Sequence, residues 1–190
     1  MDKQRNEHPP LAQDAGLRAV PIRRSMPDYK RIVEIYHSSF PKVEQFPVWL
    51  LRIMSHWKGI HSVAFYDGET LCGFSYFLVN EETVFILFLA VNDQIRSKGY
   101  GSRIISWIRE SYPNRVIFLD VERPDENATN NQQRVKRIRF YQNNGIYETN
   151  HFFTYDGVTY EILCTDQGFS EEAYNKNLES YFRLFKKKRR

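Results

Sequence analysis

The feature that most constrains this chain is an apolar run followed by a basic, glycine-bearing loop. Residues 83–91 read Thr-Val-Phe-Ile-Leu-Phe-Leu-Ala-Val, and residues 96–102 read Arg-Ser-Lys-Gly-Tyr-Gly-Ser. Ile104, Trp107 and Ile108 then fall at helical spacing. A strand, a loop and a helix in that order make a receptor for an anion. The first backbone N–H groups of a helix have no intrahelical acceptor, and the helix dipole adds partial positive charge there. Gly99 and Gly101 lack Cβ and admit a close approach to the backbone, while Arg96 and Lys98 add full charges. The spacing matches neither G-x-G-x-x-G nor G-x-x-x-x-G-K-[ST], which excludes the common dinucleotide and P-loop readings.

A second segment has its own pattern. Val135, Ile138 and Tyr141 recur at i, i+3 and i+6, one stripe of a helix that Asn144-Gly145 stops. Residues 146–155 and 158–164 then read as two strands around an Asp156-Gly157 turn. Between the two segments, residues 116–121 form a short and nearly all-apolar strand of the kind found with both faces covered.

Earlier in the chain, residues 17–22 predict a strand. A helix is expected from Pro27, with Ser25 as its N-cap, Ile32, Ile35 and Tyr36 on one face, and Pro41 as its stop. A second helix is expected over 44–57, with Trp49, Leu50, Ile53 and Met54 as its apolar stripe. Strands are expected over 62–66 and 70–79, around Asp67-Gly68. The order is β-α-α-β-β-β-α-β-α-β-β plus a charged helix from Ser170, an α/β (α+β) pattern with a mixed, mostly antiparallel sheet and helices on both faces.

Composition narrows the classes. The chain has 190 residues, of which 42% are hydrophobic and 15% aromatic, enough for one domain with a real core. No apolar run approaches the ~20 residues that a membrane span needs. Residues 1–10 are polar without an apolar signal core, so 1–16 are expected to be a loose arm and the cytoplasm is the default compartment. Cys72 and Cys164 each sit in a strand-like run and read as small buried thiols. The five histidines make no metal-type spacing, and no metal is expected. The net charge is +4, and residues 186–190 alone carry five positive charges, so the rest of the chain is at −1. The tail reads as solvated, and the near-neutral body argues against a nucleic-acid partner.

Residues 96–101 fit [RQ]-x-x-G-x-[GA] after a strand, and residues 137–146 place Tyr141 four positions before Gly145. Together, in this order and with a strand between, these resemble the two signatures of the GNAT acyltransferase superfamily. The resemblance covers roughly 17–165, with 166–190 as an added helix and basic tail. It implies acetyl transfer from acetyl-CoA, a cosubstrate, to a primary amine of a small molecule or peptide by direct attack in a ternary complex. It implies that Leu89, Ala90 and Val91 pair with pantetheine, and that the Val91 N–H holds the thioester oxygen. It further implies that Arg96, Ser97, Lys98, Gly99, Tyr100, Gly101 and Ser102 hold the pyrophosphate, and that Tyr141 protonates the departing sulfur. A homodimer is left open.

Two departures stand out. Relatives often carry a glutamate in the middle of the fourth strand, where this chain has Phe85-Ile86-Leu87-Phe88. Glu44, Glu82, Asp120 and Glu122 are the candidate bases in its place. Relatives also carry an asparagine seven residues before the tyrosine, where this chain has Arg134; Asn130 and Asn131 are the candidate substitutes. Arg134, Lys136, Arg137 and Arg139 face either phosphate or water. The missing strand carboxylate leaves a second reading, a GNAT-fold acyl-CoA-binding module or sensor with little catalysis.

Overall fold

In the computed structural model, the described residues are 16–95, 98–166, 170–172, 174 and 175. The chain divides into two compact units, Met1–Val79 with Val84–Arg115 and Asn80–Thr83 with Val116–Arg190.

The first unit begins with β1 (Arg18–Pro21), α1 (Tyr29–Ser39) and α2 (Val48–Met54). The α1 stripe is as expected, with Ile32, Ile35 and Tyr36 buried. Its start is later than expected, and no side chain caps it. Residues 23–29 are spent on turns, and the Asp28 carboxylate accepts the Tyr66 hydroxyl at 3.0 Å instead of capping. The second helix is much shorter than 44–57. Pro47 forces an extended start, and the backbone before it closes turns from Glu44 to Pro41 and from Gln45 to Lys42. Only Met54 of the expected stripe is buried; Trp49 is 59% exposed and Ile53 40%.

β2 (Ile60–Asp67), β3 (Thr70–Val79) and β4 (Thr83–Val91) follow, and each pairs antiparallel with its predecessor, β2 also taking β1. After a 3-10 turn at Asp93–Ile95 comes α3 (Tyr100–Ser111). It buries Ile104, Ile105, Trp107 and Ile108, each worth roughly 1.5–3 kcal/mol of transfer free energy for a fully buried large apolar side chain. Trp107 meets Phe65 of β2 edge to face at 5.2 Å. α3 stops at Tyr112, the residue before Pro113, as expected.

The second unit holds β5 (Val116–Glu122), α4 (Asn131–Gln142), β6 (Tyr147–Tyr155) and β7 (Val158–Cys164). β7 pairs antiparallel with both β5 and β6. The β6–β7 turn is as expected: Asp156 and Gly157 have φ of 48° and 76°, the two left-handed positions of a tight hairpin turn. α4 ends through Gly145, with the Ile146 N–H on the Tyr141 carbonyl at 3.0 Å and the Gly145 N–H on Gln142 at 2.9 Å. Both cysteines are buried free thiols, and burial raises the Cys164 pKa to about 11. The expected arm 1–16 lies outside the described residues except for Gly16. The helix expected from Ser170 also lies outside them for the most part.

Candidate functional site

The β3–β4 ladder decides which backbone groups at the end of β4 point outward. The Asn92 N–H bonds the Cys72 carbonyl at 2.8 Å, so the preceding pair, Gly73 with Val91, is a non-hydrogen-bonded pair of the antiparallel ladder. The N–H and C=O of Val91 therefore point away from β3. By the same alternation those of Leu89 do too, whereas Ala90 spends its backbone on Phe74. Gly73 makes this register possible: a Cβ there would lie 2.3 Å from the Ala90 carbonyl oxygen and 3.1 Å from the Val91 Cα.

Past Asn92 the chain is tied down. Arg31 of α1 donates from Nη2 to Asn92 Oδ1 at 2.9 Å and pairs with Asp93, while Asn92 Nδ2 donates to the Leu71 carbonyl at 2.9 Å. Arg96 and Ser97 lie outside the described residues. Lys98 is exposed, and Gly99 sits at the helix N-cap with φ 70°, a left-handed conformation that glycine adopts without strain. A Cβ on Gly99 would meet nothing within 4 Å, and no side chain caps α3. Among the described residues no side chain caps the first N–H groups of α3, which follow the exposed Lys98, an arrangement suited to an anion.

The Tyr100 side chain is committed within the fold. Its ring is 6% exposed, and its hydroxyl donates to Asp67 Oδ2 at 3.1 Å. Arg103 joins the same oxygen at 3.0 Å and reaches the Gly16 carbonyl at 2.9 Å. The Arg103 guanidinium, and then the Tyr100 hydroxyl, hold the Asp67 carboxyl below its ordinary pKa. Tyr100 and Arg103 therefore fasten the first turn of α3 to the end of β2.

In the second unit Tyr141 is 7% exposed. Burial raises its pKa to about 12, against a small lowering by Arg137. The hydroxyl stays protonated throughout the neutral range. The cationic turn of α4 divides. Arg134 is buried and donates to Glu122 Oε1 at 3.1 Å, to the Arg123 carbonyl at 2.9 Å and to Asn130 Oδ1 at 2.9 Å. Arg137 approaches Glu122 at 3.6 Å, whereas Lys136 and Arg139 are exposed. Asn131 accepts the Asp125 N–H through Oδ1 at 2.9 Å, which fastens the loop before α4. Arg134 is thus an internal tie rather than a phosphate ligand.

The four candidate bases separate on this geometry. Glu122 is closed off by Arg134, Arg137 and Asn130. Glu82 is exposed in the turn before β4. Glu44 lies in a turn before α2; burial raises the Tyr36 pKa, and the Glu44 charge adds a smaller push in the same direction. Asp120 accepts the Tyr174 hydroxyl at 2.8 Å, and burial lifts its carboxyl from 3.8 to about 7. The contacts of Asp67, Gly73 and Arg31 around the end of β4 and the start of α3 are not legible in the sequence, because each acts through a partner distant in sequence. The described residues contain no cluster of three or more His, Cys, Asp or Glu that could hold a metal.

The first unit thus holds a strand with outward backbone groups at its end and an uncapped glycine-bearing helix start, and the second a buried tyrosine on a later helix. The chain belongs to the acetyltransferase (GNAT) family, whose pattern matches residues 29–146. With that family comes its α+β fold and mixed sheet, the class expected from the sequence. A putative GNAT acetyltransferase from Bacteroides thetaiotaomicron is similar at 25% identity and a TM-score of 0.68, covering 87% of this chain and 95% of that one. An aminoglycoside 6'-N-acetyltransferase solved with coenzyme A shares the fold at 14% identity and a TM-score of 0.57, over 77% of this chain and 95% of that one. The ribosomal-protein-S18-alanine N-acetyltransferase of Escherichia coli does so at 14% identity and 0.55, over 82% and 97%. Among curated proteins none matches the chain.

Proposed function

We propose that this protein is an N-acetyltransferase that moves an acetyl group from acetyl-CoA to a primary amine by direct attack. The observation that carries the reading is the end of β4: Val91 turns its N–H away from β3, and the next helix in the chain, α3, starts uncapped at Tyr100. In this reading pantetheine pairs with the outward groups of Leu89 and Val91, and the Val91 N–H receives the charge that develops on the thioester oxygen. A backbone donor so placed is commonly worth ~10²–10³ in rate. The 96–102 loop and the start of α3 take the pyrophosphate, while Tyr100 supports the loop from behind. Tyr141 gives its proton to the leaving thiolate.

The acceptor is a small-molecule or peptide amine. The family's domain spans 17–165, no metal takes part, and the protein works in the cytoplasm. Two readings of the chemistry are tested together by thiol release from acetyl-CoA across an amine panel, with calorimetry for acetyl-CoA itself. Gly101→Glu places bulk and negative charge at the start of α3, and acetyl-CoA binding is expected to vanish in a variant that melts as the parent does. Normal binding by that variant removes the loop assignment. Tight binding with no turnover on any amine selects the sensor instead.

A further inference from the structure

We infer that Arg31 of α1 and Asn92, the residue after β4, are positioning residues for the transfer: together they hold the Val91 N–H in the direction that the thioester oxygen needs. The inference rests on the acetyltransferase reading above and adds to it a tie between that backbone donor and a helix far earlier in the chain. All the groups involved belong to the first unit.

Every polar group of Asn92 is bonded. Its N–H donates to the Cys72 carbonyl at 2.8 Å, and its C=O accepts the Ile95 N–H at 3.2 Å. Its Nδ2 donates to the Leu71 carbonyl at 2.9 Å. Its Oδ1 accepts the Gln94 N–H at 3.2 Å and Arg31 Nη2 at 2.9 Å. The residue is buried, and these bonds join β3, the 3-10 turn and α1 at one point. Two of them reach successive carbonyls of β3, which fixes the chain from the side of the sheet; the turn and Arg31 hold it from the other. The Val91 N–H, one residue back, points away from β3 and has no ladder partner there. Its direction is therefore set by its neighbours, Ala90 paired with Phe74 before it and Asn92 after it.

Arg31 is the one of these partners that comes from outside the sheet and the turn. Its Nη2 also pairs with Asp93, and its Nη1 donates to Glu34 Oε2 at 3.2 Å. The Asp93 and Glu34 side chains are 44% and 65% exposed, and ion pairs so open to water contribute little to stability. The Arg31 Nε is buried and makes no hydrogen bond among the described residues, a desolvation cost that offsets what the pairs contribute. Removing the guanidinium leaves Asn92 Oδ1 its Gln94 donor and leaves Asp93 in water, so no buried acceptor is orphaned. What the guanidinium supplies is direction: it fixes the plane of the Asn92 amide, and through it the end of β4 and the turn that leads toward α3.

The test is steady-state kinetics at saturating acetyl-CoA with the best amine of the panel, in the full chain, beside thermal melts. Arg31→Met keeps the aliphatic stem and removes every donor. It is expected to melt close to wild type and to lose roughly 10- to 100-fold in kcat, the cost of displacing a reacting group by about 1 Å, with the amine KM unchanged within about twofold. Arg31→Lys, whose ammonium can still donate to both Asn92 and Asp93, is expected to recover most of that loss. Asn92→Ala should lose at least as much kcat as Arg31→Met, and the double variant no more than Asn92→Ala alone, because the two act through one bond. Wild-type kcat in Arg31→Met overturns the positioning role, whether or not Asn92→Ala folds. A raised amine KM with unchanged kcat also overturns it, since Arg31 would then bind the acceptor. Losses that add in the double variant overturn the link between the two residues. Wild-type protein that binds acetyl-CoA and acetylates no amine overturns the acetyltransferase reading, and the positioning role with it.

Discussion

Tyr141 and Asp120 are both raised by burial, with opposite consequences for what each can do. The tyrosine stays protonated at every working pH and can act only as a donor. The aspartate changes charge near neutrality and can act as an acceptor above its pKa. Tyr141→Phe removes the proton and keeps the ring, so turnover should fall by ~10²–10⁴ in steady-state kinetics. The acetyl-CoA Kd should change little, since one hydroxyl contributes ~0.5–1.5 kcal/mol. Asp120 also carries a stability signature. Its folded pKa, about 7, exceeds the ordinary 3.8, so the native state binds the extra proton between those values. The stabilisation is present below the unfolded pKa and is lost as pH rises through the folded one. Asp120→Asn should therefore be more stable than wild type at pH 8.5, by no more than about 4 kcal/mol, and close to it near pH 4, as read from urea melts. An Asn variant destabilised at pH 8.5 contradicts this account.

At the scale of elements, the end of β4 depends on its neighbour more than on its own sequence. Gly73 lets β3 approach so closely that Val91 falls in the narrow pair and turns its N–H outward. Gly73→Ala puts a Cβ 2.3 Å from the Ala90 oxygen, which the strand must relieve by shifting. The expected cost is ~1–3 kcal/mol in a denaturant melt, with a loss of kcat as the Val91 N–H moves. Unchanged kcat in a destabilised Gly73→Ala enzyme would detach Val91 from the oxyanion. α3 is held in the same manner: Asp67 gathers Tyr100 and Arg103, so the first turn of the helix is fixed from β2 while its N–H groups stay uncapped.

For the whole molecule, the segment after β7 divides by function. Residues 186–190 carry the basic charge, and their deletion should leave acetyl-CoA affinity unchanged within error at moderate salt. Ending the chain at 169 removes Tyr174 as well. That protein should still bind acetyl-CoA in calorimetry but melt at lower temperature, because β5 loses the buried Tyr174 ring against Phe118 and its hydrogen bond to Asp120. Equal melting of the two truncations would remove Tyr174 from the stability of the second unit.

Local chemistry made much of this legible from sequence. Apolar runs bounded by turn residues marked β3, β4 and β7, and period-3.6 spacing marked α3, nearly to the residue. Asp156-Gly157 and Gly145 marked their turns because left-handed backbone favours so few residues. The basic glycine loop stood out because it and the helix it opens are contiguous in the chain, and Tyr141 because it shares a helical stripe ending at Gly145. What tertiary structure alone decided lies in long-range pairs. Asp28 takes the Tyr66 hydroxyl, Arg134 turns inward to Glu122, Tyr100 closes on Asp67, and Asp120 meets Tyr174. A sequence shows that a residue can ionise or donate. Which partner desolvates it, and so whether it is a tie, a ligand or a base, is set only when distant strands and helices bring that partner within 3 Å or so.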